Sequence, residues 1–262
     1  DNYKAGKLLR ANEIAEHKDI ENGDWKFIQI DDKSGSFVVP KGSVGHRWDK
    51  QETGKWNTKL ENAVDDKEYD PKLTLIDDKD DVLLVTLDEF GLDKKALRGI
   101  PVKYVTTTSG EKVAVATTYD LLLAQYGVGR GLEGDYPTDY TDKTAAYTPA
   151  WQEIFTGVDS KTIISIAREW GHTGEVTKGK NMVIVGAGIN QWYHQNLMYR
   201  AASMALIFTG SIGKNGGGMK HYVGQEKLAP VDSWGTISTG KDWGGGTRLQ
   251  QGPIWHYMNT DQ

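Results

Sequence analysis

The stretch Asn181–Lys227, NMVIVGAGINQWYHQNLMYRAASMALIFTGSIGKNGGGMKHYVGQEK, decides how the rest of the chain is read. Asn181–Val185 is a short apolar run rich in β-branched residues, the pattern of a strand covered on both faces. Gly186-Ala187-Gly188 then predicts a tight turn that lets another backbone or a ligand come close. Asn190 is a good N-cap for the helix expected from Gln191 to Phe208, a segment without proline or glycine. Leu197, Ala201, Met204, Ala205 and Phe208 share one face of that helix. Leu206 and Ile207 make its second half apolar all round, so it is expected to be buried. Gly210, Gly213 and Gly216-Gly217-Gly218 stop it and form a pliable loop.

A strand that turns through glycines into a helix presents free N–H groups at the C-terminal edge of a sheet. That edge suits a phosphate or pyrophosphate. A nicotinamide dinucleotide is the first candidate. Against it, the third glycine of G-x-G-x-x-G falls on Gln191. The acidic residue wanted about 20 positions further on for a ribose is also missing near Thr209 and Gly210. Tight helix–sheet packing is the plain alternative for such a turn. The polar residues beside it, Asn190, Gln191, Trp192 and His194, with Gly224, Gln225, Glu226 and Lys227 after the second loop, point instead to a heterocycle edge, because amides both donate and accept. Each has an ordinary reading too: Asn190 caps, Trp192 fills core, and His194 is a satisfied half-buried histidine.

The chain of 262 residues can bury a sizeable core as one large domain or two. A net charge of -5 and scattered Lys and Arg give no footprint for nucleic acid. The absence of cysteine excludes disulfides, thiolate zinc and iron–sulfur ligation by these residues. No apolar run is long enough to cross a bilayer, and no secretory leader is recognisable. The chain starts at Asp1 and reads as cut at both ends, and some of its nine tryptophans are expected at interfaces.

In chain order, residues 3–16 predict a modest amphipathic helix. Trp25–Ile30 with Ser36–Val39 predict a hairpin, and the charged stretch Asn62–Asp81 a solvated surface. Lys72–Ile76, Val82–Leu87, Val102–Thr107 and Lys112–Thr117 read as further strands, so residues 1–130 are expected to be a β-rich segment. Tyr119–Tyr126 reads as a helix, and the Gly-, Asp- and Pro-rich loop Gly131–Asp142 as the domain boundary. Thr148 and Pro149 start a helix that Gly157 ends. Asp159 or Ser160 starts another, which Gly171 ends. Helices alternating with a buried strand make residues 131–262 an α/β layer with a mainly parallel sheet, in a chain that is α+β overall. The Gly- and Trp-rich tail, with Trp234, Trp243 and Trp255, reads as an irregular segment packed on a neighbouring domain.

Taken together, VGAGINQWYH, TGSIGKNGGGMKHYVGQEKL, PKGSVGHRW with GKWN, YDLLLAQYGVGRGL, and YTPAWQEIFTGV with IISIAREW resemble the catalytic alpha chains of membrane-bound respiratory nitrate reductases. These belong to the dimethyl sulfoxide reductase superfamily of molybdenum enzymes. The resemblance spans nearly the whole chain and is weakest across residues 62–98 and after 230. It implies an internal piece of a longer subunit, corresponding to the superfamily's third domain preceded by a β-rich insertion. The ligands of a 4Fe-4S cluster and of molybdenum would lie upstream, and a barrel domain downstream. On this resemblance Gly186, Ala187, Gly188 and Asn190 fall where a glycine turn meets one half of a molybdenum bis(molybdopterin guanine dinucleotide), with Trp192 and His194 on the next turn. Gly224, Gln225 and Lys227 also fall on the cofactor side, with Gln225 where relatives place a glutamine close to the pterin and metal, the one catalytic candidate. Relatives can carry His where this chain has Gln191.

The resemblance further implies reduction of nitrate to nitrite, with electrons from quinol passing through iron–sulfur clusters. The implied partners are an iron–sulfur beta subunit and a haem-containing gamma membrane subunit that hold the enzyme at the cytoplasmic face of the cell membrane. The isolated piece is predicted to be inactive. Two other readings stand beside it: a nicotinamide-nucleotide oxidoreductase domain, and a β-rich carbohydrate-binding module on residues 25–117.

Overall fold

The computed structural model describes residues 7–41, 60–89 and 94–221. The segments PKGSVGHRW (from Gly42 on) and GKWN, the tail, and Gly224, Gln225 and Lys227 lie outside the described residues. The chain divides into two compact units, Asp1–Lys161 and Thr162–Gln262.

The first unit is built on an antiparallel meander of β3 (Asp81–Asp88), β4 (Lys95–Thr106) and β5 (Lys112–Val115), in the order β3-β4-β5. A small hairpin of β1 (Gln29–Ile30) and β2 (Phe37–Val38) precedes it. The central strand β4 buries Ile100 and Val102 against Ala124 of α1 (Thr118–Gln125), with Leu83, Val85 and Leu87 of β3 around them. α1 starts at Thr117, whose side chain accepts from the Asp120 amide, as an N-cap should.

Three sequence expectations change here. From Lys7 on, where the description begins, the amphipathic helix expected over residues 3–16 is replaced by two short 3-10 turns, Ala11–Glu13 and Ala15–His17. Residues 72–76 run without a ladder, because the Leu75 amide is taken by the Asp120 carboxylate at 2.8 Å and not by a strand. Strand β4 begins well before Val102 and carries Pro101, which has no N–H to give. β5 pairs only with Lys103–Thr106, so the β4 edge that Pro101 interrupts is left to the loop Glu133–Asp135.

That loop is the stretch read from sequence as a boundary. It is fastened into the first unit instead. The Gly99 amide donates to Glu133 O at 2.7 Å, and Asp135 N to Leu97 O at 2.7 Å. Gly134 has φ +126 and comes so close that a Cβ there would lie 2.4 Å from Leu97 O, so only glycine fits. Arg98, fully buried, donates from Nε to Asp135 O at 2.9 Å and from Nη1 to the C-terminal carbonyls of α1, Ala124 O at 2.8 Å and Gln125 O at 3.0 Å. A cation at a helix C-terminus also meets the negative end of its dipole. The unit continues through α2 (Pro149–Thr156), capped by Thr148 with Pro149 in the first turn and closed by Gly157 in the left-handed region.

The second unit is a βαβ arrangement. α3 (Ser160–Val176) leads to β6 (Met182–Val185); α4 (Ala187–Asn190) and α5 (Gln195–Phe208) follow; β7 (Gly218–His221) returns parallel to β6. α3 runs through Gly171 and Gly174 rather than ending at the first, because Gly174 lets the Thr209 side chain pack where a Cβ would lie 2.6 Å from it. The described chain is thus α+β, with antiparallel and parallel sheets in separate units.

Asp31 shows how the charged surface is organised. Its carboxylate accepts from Ser34 Oγ at 2.6 Å and from the backbone amides of Asp70 at 3.0 Å and Ser34 at 3.1 Å, which closes the β1–β2 turn. The Ser34 hydroxyl first and the Asp70 amide second lower its pKa from 3.8 to about 2. A depressed carboxylate pKa contributes stability that is fully present above the ordinary value and is lost as pH falls through the folded one. Urea unfolding midpoints measured from pH 5 to pH 2 should therefore fall more steeply for the wild type than for Asp31→Asn. Parallel curves would show that Asp31 carries no such linkage.

Candidate functional site

The site is the C-terminal edge of the β6–β7 pair. Val185 ends β6 buried, and its register partner across the pair is His221, the last residue of β7. The chain leaves β6 through Gly186 in extended backbone and enters α4, a single turn. Ile189 N donates to Gly186 O at 3.0 Å and Gln191 N to Ala187 O at 3.3 Å. The first amides of this turn have no acceptor inside it.

The glycines here act differently from the expectation. Neither Gly186 nor Gly188 adopts a positive φ, so the turn itself does not require them. A Cβ on Gly188 would meet nothing within 4 Å. What the absent side chain leaves is bare backbone facing open space. Asn190 does not cap a long helix as expected; it is the last residue of α4, and the chain breaks at Gln191–His194 before α5 starts. Its side-chain Nδ2 lies 3.4 Å from His221 Nε2. Gln191, Trp192 and His194 are all exposed, and the His194 ring stands edge-on to Tyr193 at 4.7 Å. Trp192 therefore fills no core in this chain.

Gly186, Ala187, Gly188 and Asn190 are thus brought together at one strand edge, with Gln191, Trp192 and His194 just beyond. Two residues at the same edge were not singled out from sequence. His221 arrives through the parallel register, and Tyr199 of α5 stacks on its ring at 6.2 Å between centroids. Register between a strand and its crossover partner is the signal that finds them, since MVIV and GMKH are paired residue for residue. The groups on offer are bare amides, carboxamides, imidazoles and an indole. They suit an anionic or heterocyclic group and not a cation. No group of His, Asp or Glu that could hold a metal ion occurs among the described residues.

The unit is open around this edge. Ile184 is 77% exposed and Met182 41%, so β6 is covered on one face only, against expectation. The α5 face expected to be buried is also open at Leu197, Ala201 and Phe208; the side turned inward carries Tyr199, Ala202, Ser203 and Leu206. Both sides of the helix are apolar, so periodicity alone could not choose between them. A groove of about 290 Å³ lined by Trp170, Thr173 and Asn181 lies at the opposite end of β6 and shares no residue with the site.

The sequence model of the molybdopterin oxidoreductase family matches residues 9–256. The chain belongs to that family. It is 38% identical to the nitrate reductase alpha chain of Bacillus subtilis over 262 residues, covering 99% of this chain and 21% of that protein. It is 38% identical to the respiratory nitrate reductase 1 alpha chain of Escherichia coli over 272 residues, covering 99% and 22%. The nitrate reductase alpha subunit of Mycobacterium tuberculosis is 39% identical over 262 residues, covering 98% and 21%. The chain spans about a fifth of the length of these curated relatives. Family membership brings a molybdenum–pterin cofactor, and it lends no support to the nicotinamide alternative. The bare edge fits such a group, since a pterin asks for amide donors and unobstructed backbone, and Gly188 leaves both.

The contrast between the two apolar faces is measurable. Leu206→Ala, which empties a fully buried position, should cost about 2–5 kcal/mol in urea unfolding of this chain. Ile184→Thr, at a largely exposed position, should change stability by about 0.5 kcal/mol or less. Equal losses would mean that the β6 face is covered in solution.

Proposed function

We propose that this chain is part of the molybdenum-containing catalytic subunit of a respiratory nitrate reductase, and that its β6–β7 edge holds one half of a bis(molybdopterin guanine dinucleotide). The observation that carries this reading is 38% identity to nitrate reductase alpha chains across 99% of the chain. The open glycine edge supports it from the side of geometry. In this reading the second unit, Thr162–Gln262, is an incomplete counterpart of the third domain of the dimethyl sulfoxide reductase superfamily, and the first unit holds a β-rich insertion before it.

The bare backbone at Ala187 and Gly188 receives the pyrophosphate, where no side chain intervenes. Asn190 and Gln191 offer carboxamides to the edge of a ring. Trp192 and His194, exposed here, close over the bound group and exclude water. Gln225, with Gly224 and Lys227, is assigned to the pterin side on sequence grounds alone. When bound, the molybdenum centre supplies the two-electron redox chemistry that takes an oxygen atom from nitrate and leaves nitrite. This chain contributes binding and orientation. The 4Fe-4S cluster has its ligands elsewhere in the subunit, since there is no cysteine here. An iron–sulfur beta subunit and a haem-containing gamma subunit would deliver electrons from quinol and hold the enzyme at the cytoplasmic face of the membrane. On this account the 262 residues alone have no activity.

The test uses the full-length subunit that carries this chain, purified without oxygen from molybdate-fed cells. It should oxidise reduced methyl viologen when nitrate is added, and the 262-residue chain should not. Gly188→Leu should cut its molybdenum and releasable guanine nucleotide about tenfold, the scale of one displaced polar contact, while the melting temperature of the cofactor-free protein stays put. Full cofactor content in that variant, or nitrate-dependent dye oxidation by the 262-residue chain, would contradict the proposal.

A further inference from the structure

Three elements converge at one point of the candidate site. Asn190 comes from α4, Tyr199 from α5 and His221 from β7. His221 sits beside Val185 in the parallel register, one residue before the chain turns at Gly186. Its ring stacks on Tyr199 with planes 30° apart and faces the Asn190 carboxamide at 3.4 Å. Nothing in the sequence reading assigned His221 or Tyr199 a task.

We propose that His221 is a positioning residue for the nucleotide-binding edge, and that it holds Asn190 in place while resting on Tyr199. The inference depends on the reading of that edge given above. The chemistry is that of a neutral imidazole with its proton on Nδ1. Nε2 then accepts from the Asn190 amide, and the Asn190 Oδ1 can accept from a ligand N–H. The Tyr199 ring lies beside the imidazole on the α5 side. The link joins the last residue of α4 to the end of β7, so it ties the turn after β6 to the neighbouring strand. A separation of 3.4 Å is long for a hydrogen bond, and in open solvent it is weak. A ligand that excludes water lowers the local dielectric and strengthens the same bond, so the latch tightens as the site fills.

The ligand class is a guanosine diphosphate moiety, and the probe is GDP itself. Binding to the cofactor-free full-length subunit would be followed by calorimetry at pH 8, with the melting temperature of every variant measured alongside. His221→Phe keeps a ring for Tyr199 but loses the nitrogen. It should weaken GDP about five- to tenfold, the size of one lost polar contact, without a matching drop in melting temperature. His221→Gln, which can still accept from Asn190, should restore affinity to about twofold of the wild type. Combined with Asn190→Ala, His221→Phe should cost clearly less than the sum of the two single losses, because both variants remove the same Asn190–His221 contact. Tyr199→Leu, which removes the ring under the imidazole, provides a second route to the same loss if His221→Phe does not fold.

Wild-type affinity in both His221→Phe and Tyr199→Leu would overturn the inference while leaving the nucleotide site standing. Losses that add fully to that of Asn190→Ala would overturn it equally. A wild-type subunit that binds no GDP would overturn the nucleotide reading of the edge, and the role of His221 with it.

Discussion

The second unit depends on backbone meeting backbone at the start of its parallel strands. Gly179, at φ +88, lies where a Cβ would be 2.2 Å from Gly210 O, and a Cβ on Gly217 would be 2.6 Å from Gly179 O. Asn181 O accepts from Gly218 N at 3.0 Å, and the buried Asn181 side chain donates to Trp170 O at 2.8 Å. Trp170 Nε1 in turn donates to Ala205 O at 3.1 Å. These bonds draw α3, α5 and both strands to one end of the sheet. The glycine-rich loop after α5 is therefore a packed joint rather than a pliable tether. With register fixed there, the other ends of β6 and β7 can remain bare without losing their spacing, and a site needs that combination of fixed frame and open edge.

The sequence made some of this legible and concealed the rest. The strand, the turn and the helix after residue 181 were readable because β-branched residues, glycines and an uninterrupted apolar run each have one strong local meaning. The hairpin turns and the Thr148–Pro149 helix start were readable for the same reason. Of strand β4 only the half from Val102 was readable; Lys95–Pro101 was not, because Gly99 and Pro101 are breakers in isolation and are tolerated only where a neighbouring loop takes over the strand edge. The loop 131–142 resembled a linker in composition, yet Arg98 and Gly134 fasten it to β4 through contacts more than thirty residues apart in sequence. The inward side of α5 was undecidable, since Leu197 and Leu206 lie on different sides of a helix that is apolar on both. Among site residues, those of the glycine turn were visible as a motif. His221 and Tyr199 needed the parallel register, which no local pattern carries.

The exposed apolar positions of the second unit fit the length relation to the relatives. Tyr193 at 92% and Ile184 at 77% exposure would be costly on a surface meant for water. In relatives about five times longer, further chain is available to pack on such faces. Among the described residues of this unit, Val185 and Leu206 are the deep apolar ones, beside buried polar side chains that include Asn181 and Ser211.

The turn after β6 meets the cofactor in the proposed function, and everything else assigned to this edge follows from that contact. Amide hydrogen exchange of the segment 186–194, compared between cofactor-loaded and cofactor-free full-length subunit, tests this without relying on catalysis. Exchange should slow markedly across Ala187–His194 on loading, with the Gly179–Gly217 joint protected in both forms. Unchanged, rapid exchange at Ala187 and Gly188 in the loaded subunit would contradict it.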